Sequence, residues 1–155
     1  MPGPSLTLLD GTLLVLTPLS GQATVILTPY AARGLTQTLD LVTNAQWTRR
    51  DVNGFLRSVA DDRFRKYRSV ISCRDGEMPA IDGTWIGEIV DVSCAVELSY
   101  PTGATPQRPA VAGSVRTQGA FTYYRPLLTM MVEALSDSFQ EYQAINGWSI
   151  TLSEV

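Results

Sequence analysis

Histidine is absent from this 155-residue chain, and lysine occurs once, at Lys66. Without histidine, Ser-His-Asp and Cys-His catalysis are excluded, along with the most versatile general base near neutral pH. Lys66 does not follow a glycine-rich turn, so no loop of the P-loop type is present, and no Gly-x-Gly-x-x-Gly motif occurs. We therefore expect a protein that is not an enzyme and that needs no cofactor.

Cysteine is also scarce, because only Cys73 and Cys94 occur. Each lies in a strand-like run, so the two could face each other across a sheet. We favour two buried free thiols that behave as small apolar residues, with a disulfide between them as the alternative. A tetrahedral zinc site needs four ligands at short paired spacings, and the chain has no second pair of cysteines.

Carboxylates remain as candidates for acid–base chemistry. Asp61 with Asp62, or Asp75 with Asp82, could form the paired acids of a glycosidase. Adjacent acids in a strand point to opposite faces, however, and the Asp-Gly pairs at 75 and 82 are ordinary turn sequences. We interpret these carboxylates as structural.

Long hydrophobic runs and strong charge are missing too. No apolar run approaches the roughly 18 residues of a membrane span, and residues 1–5 lack the positive start of a signal peptide. A hydrophobic content of 45% indicates a globular protein, and a net charge of −3 argues against a general nucleic-acid binder. The length predicts one domain spanning 1–155, made in the cytoplasm and without a membrane contact.

What the chain does have is alternation. Between Val90 and Pro101, apolar side chains occupy every second position, which predicts a half-buried β-strand that the proline ends. The apolar positions of this strand are Val90, Val92, Cys94, Val96 and Leu98.

Other short runs predict further strands. Asn53-Gly54 predicts a hairpin with a type I′ turn, in preference to a helix over 48–60 that a central glycine would weaken. We therefore expect a mainly β fold, an antiparallel sandwich or barrel, with at most one short helix. The remaining predicted strands are a hairpin formed by 13–16 and 24–27, with Pro18, Ser20 and Gly21 in its turn, and single strands at 35–41, 69–73 and 148–152.

Residues 127–144 fit two patterns. At period two, Leu128, Met130, Val132 and Ala134 form the buried side of a strand. At helical spacing, an apolar stripe runs from Leu128 to Tyr142. We prefer the strand because the neighbouring segments are β.

Residues 101–119 contain three prolines and little apolar periodicity. An irregular stretch this long inside a compact domain is usually functional, an arm or disordered. We expect an extended arm or loop that packs on something outside its own domain.

The charge distribution is uneven, because eight of the twelve Lys and Arg residues lie between Arg49 and Arg74. These basic residues could form a solvated face that nearby aspartates neutralise. Alternatively, they could form ion pairs across a subunit interface, or they could contact phosphate groups. Tyr123, Tyr124 and Arg125 suggest interface residues, although an aromatic cluster over the core fits equally. The candidate interface residues are therefore Arg63, Arg65, Lys66, Arg68, Arg108, Tyr123, Tyr124 and Arg125.

Several segments resemble structural proteins of the tails of bacteriophages, of the distal-tail or baseplate-hub type. They are 67–73, 79–87, 92–101, 33–39, 52–54, 124–126 and 147–150.

The resemblance implies a structural subunit of a long-tailed (siphovirus) phage tail tip, a ring protein that links the tail tube to the hub. It implies assembly in the host cytoplasm, a place in the virion tail, a homo-oligomeric ring of three or six copies, and contacts with neighbouring tail proteins. DNA would at most pass through the channel. The alternatives are a head-to-tail joining, tail-terminator or tail-tube protein, and a β-rich carbohydrate- or peptide-binding module in which Trp85, Tyr123 and Tyr124 form a ligand platform.

Overall fold

A computed structural model describes residues 13–19, 25–26, 34–42, 47–74, 77–79 and 81–155. The fold is mainly β, as predicted, and all strand pairs are antiparallel. Its strands are β1 (Val15–Pro18), β2 (Val25–Ile26), β3 (Thr36–Leu41), β4 (Thr48–Arg50), β5 (Leu56–Ser58), β6 (Tyr67–Arg74), β7 (Ile89–Ser93), β8 (Leu98–Pro101), β9 (Arg116–Gln118), β10 (Phe121–Tyr124), β11 (Leu127–Gln140) and β12 (Ile145–Glu154). A short 3-10 helix, Asp62–Phe64, precedes β6.

Seven strands form the main sheet, in the order β2-β1-β7-β11-β12-β6-β3. Each long strand buries alternate side chains, as Trp148, Ile150 and Leu152 do along β12. This period of two places the buried side chains of five strands on one face, where they form a hydrophobic cluster. The predicted strands at 35–41, 69–73 and 148–152 are confirmed, and so is the pairing of β1 with β2. Pro18 lies in β1, not in the turn, while Ser20 and Gly21 lie outside the described residues.

The strand prediction for 127–144 is confirmed as far as Gln140, and it includes a bulge. Val132 pairs with Leu152, whereas Ala134 pairs with Thr151, so Glu133 is an extra residue in β11. The bulge shifts the phase of the strand, and the inward position after Val132 is Leu135 instead of Ala134. A tight turn at 141–144, with Ala144 at φ 52°, leads into β12.

The predicted continuous strand from Val90 to Tyr100 is wrong, because the chain bends between two sheets. β7 lies in the main sheet, and β8 pairs with β10 in a three-stranded sheet of order β8-β10-β9. Residues 94–97 join the two strands. At the bend, the backbone amides of Ala95 and Val96 donate to the side chain of Gln37 instead of to a neighbouring strand.

Gln37 also shows how strongly the main sheet is curved. It lies on the edge strand β3, four strands away from β7, a separation of about 19 Å in a flat sheet. Yet its Oε1 accepts from Ala95 N at 2.7 Å, and its Nε2 donates to the buried Ser69 Oγ at 3.1 Å. The sheet therefore curls around its core, with the smaller sheet beside it, in a sandwich-like arrangement.

The predicted hairpin around Asn53-Gly54 is present, as a separate two-stranded sheet of β4 and β5. Its turn is not type I′, because only Gly54 of the pair has a positive φ, at 82°. The Asp51 carboxylate accepts from the backbone amides of Asn53 and Phe55, and Asp51 N donates to Phe55 O. This is a three-residue loop with glycine in the left-handed position, the next most common hairpin connection.

The irregular segment 101–119 packs on its own domain, contrary to expectation. Val111 N donates to Arg125 O, Leu127 N donates to Pro109 O, and Ala110 forms an isolated bridge with Pro126. Its end is the edge strand β9, which pairs with β10. The segment is therefore a loop attached along much of its length.

Candidate interaction surfaces

The predicted basic stretch is largely neutralised within the chain. Arg63 pairs with Asp61 at 2.8 Å, Arg65 with Asp62 at 2.7 Å and Arg68 with Glu133 at 3.6 Å. Hydrogen bonds from Arg63 lower the pKa of Asp61 below its ordinary value of 3.8. Lys66 Nζ donates to Val155 O at 2.9 Å. These pairs are exposed, so each contributes little to stability, and they match the solvated-face interpretation.

Arg108 lies in an internal ion pair. Its Nε and Nη2 bind the two carboxylate oxygens of Glu154 at 2.6 and 3.0 Å, and Nη2 also donates to Arg65 O at 2.7 Å. The side chains of Arg108 and Glu154 are only 20% and 10% exposed. Glu154 raises the pKa of Arg108 above its ordinary value. Arg108 therefore connects the 101–119 loop to the C-terminal strand, and its guanidinium is occupied within the chain.

The three predicted interface residues at 123–125 have separate environments. Tyr124 is only 3% exposed and its ring contacts Tyr100 edge-on, at 5.6 Å between centroids. Tyr123 is half-buried under Arg116, whose guanidinium carbon lies 4.3 Å from the ring centroid. Arg125 donates to the backbone oxygens of Leu13 and Cys94. Since Tyr124 belongs to the interior, the platform of Trp85, Tyr123 and Tyr124 predicted for a carbohydrate-binding module does not form.

Cys73 and Cys94 are both buried free thiols, as we favoured. They lie at the end of β6 and just after β7, strands that β11 and β12 separate, so the alternative disulfide is not formed. Burial raises the pKa of the Cys94 thiol from its ordinary 9.0 to about 11.

Alkali should therefore weaken the fold through Cys94. The folded chain keeps the proton of the Cys94 thiol up to about pH 11, whereas the unfolded chain loses it near pH 9. The stabilisation of the fold by the neutral thiol is therefore complete below pH 9 and is lost as the pH rises through 11. We expect the free energy of unfolding of the wild type to fall by about 2 kcal/mol more than that of Cys94→Ala across this interval. Urea unfolding of both proteins from pH 8 to 11 measures the difference. A constant difference would show that Cys94 does not titrate in this way.

The β4–β5 hairpin, residues 47–59, exposes apolar side chains that our sequence reading did not single out. Every residue of β4 and β5 is exposed, and so are Val52 at the tip, Phe55, Leu56 and Val59. A two-stranded sheet of this kind is marginally stable alone. In the sequence, apolar residues lie among arginines on both sides of the turn, and this pattern could have indicated an exposed apolar hairpin.

A cleft of about 730 Å³ separates the hairpin root from the main sheet. Trp47, Arg49 and Val59 line it on the hairpin side, while Glu133 and Glu154 line it on the sheet side. The hairpin therefore stands away from the main sheet along this cleft.

A second concave surface lies beside the bulge of β11. The turn at 81–87 is held there by hydrogen bonds from Gly87 N to Val132 O and from Val132 N to Glu88 O. Its groove, of about 410 Å³, includes Trp85, which is 77% exposed, and Ile86, which is 69% exposed. We call it the 78–86 groove, and its lining residues are Met78, Pro79, Ile81, Asp82, Gly83, Thr84, Trp85, Ile86, Leu135 and Asp137.

Two other kinds of site are absent from the described residues. No three His, Cys, Asp or Glu side chains in these ranges lie close enough together to hold a metal ion. Nor does this part of the chain contain a helix of the length and apolar character needed to cross a membrane. Comparison of the chain with protein-family models, curated proteins and solved structures gave no match.

Proposed function

We propose that this chain is a structural subunit that assembles with copies of itself, as a ring protein of the tail tip of a long-tailed bacteriophage. The observation that carries the self-assembly is the exposed apolar hairpin. Val52 is fully exposed, and Phe55 and Leu56 are 68% and 63% exposed. Large apolar side chains exposed close together on one element are typical of protein–protein contact sites.

Unpaired strand edges support the same proposal. Within the described residues, β3 pairs only with β6, and β11 from Ala134 to Gln140 pairs only with β12. Open edges offer backbone groups to another chain, and a closed ring of subunits can cover them. The place in a phage tail is supported by the sequence resemblance alone, and the finer position in the tail tip is part of the proposal.

Sedimentation and negative-stain microscopy test the self-assembly. We expect the purified chain to form rings of three or six copies at micromolar concentration, because its uncovered surface is apolar and its net charge is small. A monomer at all concentrations would contradict the proposal. A monomer that also binds oligosaccharides on a glycan array would favour the alternative of a carbohydrate-binding module.

The proposed location in the tail tip can be tested only on the assembled phage particle. If a phage encodes this chain, antibodies against the purified protein should label one end of its tail in electron micrographs. Labelling at the head-to-tail junction or along the whole tube would favour the joining, terminator or tube alternatives. Particles without any labelled protein would contradict a role in the virion.

A further inference from the structure

We propose that the hairpin 47–59 of one copy docks into the 78–86 groove of the next copy. This inference rests on the proposed self-assembly and specifies its contact. It joins two different surfaces of the same chain, so each copy would use its hairpin on one side and its groove on the other.

The two surfaces are complementary in apolar character. The hairpin presents Val52 at its tip and Phe55 beside it, and both side chains are exposed. The groove presents Trp85 and Ile86 on its exposed rim, with the buried Ile81 in its wall. Burying such side chains against each other removes apolar area from water on both sides.

The two surfaces also differ in charge. The hairpin carries Arg49, Arg50 and Arg57 against one acid, Asp51. Arg49 and Arg57 are directly opposite each other across the strands, an unfavourable arrangement for like charges. Asp51 pairs with Arg57 at 2.9 Å, whereas Arg49 takes part in none of the ion pairs found among the described residues.

The charged residues that line the groove, by contrast, are both acids. Asp82 and Asp137 line it, and no lysine or arginine does. Neither acid belongs to an ion pair in the part of the chain that the structure describes. The hairpin therefore has an excess of positive charge and the groove an excess of negative charge, which favours their association.

One copy does not fill its own groove with its own hairpin. The hairpin root lines the cleft next to Glu133 and Glu154, and no residue lines both that cleft and the 78–86 groove. A contact between unlike surfaces of neighbouring copies is heterologous, and such contacts generate a ring when the rotation between copies closes.

Cysteine cross-linking tests the contact. The native thiols Cys73 and Cys94 are buried, so Val52→Cys and Ile86→Cys each add one exposed thiol. We expect a disulfide-linked dimer when the two variants are mixed under oxidising conditions, and little when either variant is oxidised alone. Ala112→Cys, which replaces an exposed residue outside both surfaces, is the matched partner and should not cross-link to either.

Charge reversal supplies a second readout. Arg49→Glu with Arg50→Glu should weaken self-association about tenfold, and Asp82→Lys with Asp137→Lys by a similar factor. Combining all four changes in one chain should restore assembly. Thermal melts of each variant show whether it is folded.

The outcomes separate the contact from the self-assembly. If the wild type assembles but Val52→Cys and Ile86→Cys do not cross-link, the docking is wrong while the self-assembly stands. Cross-linking of Val52→Cys to itself as the main product would replace the proposed contact with a symmetric one between hairpins. If the wild type does not associate, both proposals fail.

Discussion

Replacing Arg108 with methionine should lower the free energy of unfolding by about 4 kcal/mol. The guanidinium makes four hydrogen bonds, two to Glu154 and one each to Arg65 O and Gln107 O, in a site where both charged side chains are largely buried. Methionine fills a similar volume but cannot donate to the Glu154 carboxylate, which keeps its hydrogen bond from the Tyr67 backbone amide. Urea unfolding at pH 7 measures the loss.

A double variant and an exposed pair are the controls. Arg108→Met with Glu154→Leu removes both charges, and it should recover most of the loss, because no unpaired charge remains buried. Arg116→Met breaks the exposed pair of Arg116 with Glu97 and should cost less than about 1 kcal/mol. Equal losses for Arg108→Met and Arg116→Met would mean that the Arg108 pair contributes no more than a surface pair.

The Arg108 pair also changes what the 101–119 loop can do. We expected an arm that covers a neighbouring subunit, but this loop is bonded to β12 through Arg108 and to the link between β10 and β11, where Ala110 forms a bridge with Pro126. Deleting 102–113 would therefore remove an internal ion pair and reduce folding stability. Among the described residues, the 47–59 hairpin carries exposed apolar side chains on a separate two-stranded sheet, and it is the hairpin that we expect to reach a neighbour.

Side-chain alternation was sufficient to predict the strands that stay in one sheet. β6 and β12 bury every second residue along their central parts, and both were identified from that pattern. The alternation from Val90 to Leu98 was equally regular, yet the chain changes sheets after Cys94. A period of two shows which side chains face the core, but it does not show which sheet the strand belongs to. The alternation continued across the bend, so it gave no sign of the change of sheet.

The ambiguity of 127–144 has a structural cause. One extra residue in a strand shifts the alternation of inward and outward side chains by one position. Val132 and Leu135 therefore both face inward although they are three residues apart. A spacing of three within an apolar run resembles a helical stripe. The competing helical stripe shares Leu128 and Leu135 with the inward side of β11, whereas its other members, Met131, Phe139 and Tyr142, are exposed.

The candidate interface could be predicted only in part, because partners far apart in sequence decide which charges remain available. Arg108 and Glu154 are 46 residues apart, and nothing local to either indicates that they pair. Tyr123 and Tyr124 are adjacent in β10 and face opposite sides, but the sequence did not show which side is interior. The hairpin was predicted as an element, whereas its exposure depends on the absence of any covering strand among the described residues.

Replacing Gln37 with methionine is the most direct test of the curled sheet, and it should lower the free energy of unfolding by about 3 kcal/mol. The change removes the acceptor of Ala95 N and Val96 N and the partner of the fully buried Ser69 hydroxyl. Leaving buried polar groups unpaired costs more than the loss of the same bonds at the surface.

Thr38→Val is the matched control, because Thr38 is the next residue of β3 and is exposed on the opposite face. It should change stability by less than about 0.5 kcal/mol. Hydrogen exchange gives a local readout, since Gln37→Met should expose the amides of Ala95 and Val96 to faster exchange while Thr38→Val should not. If both variants exchange alike at these amides, β3 does not reach the bend after β7, and the sheet is flatter than the Gln37 hydrogen bonds require.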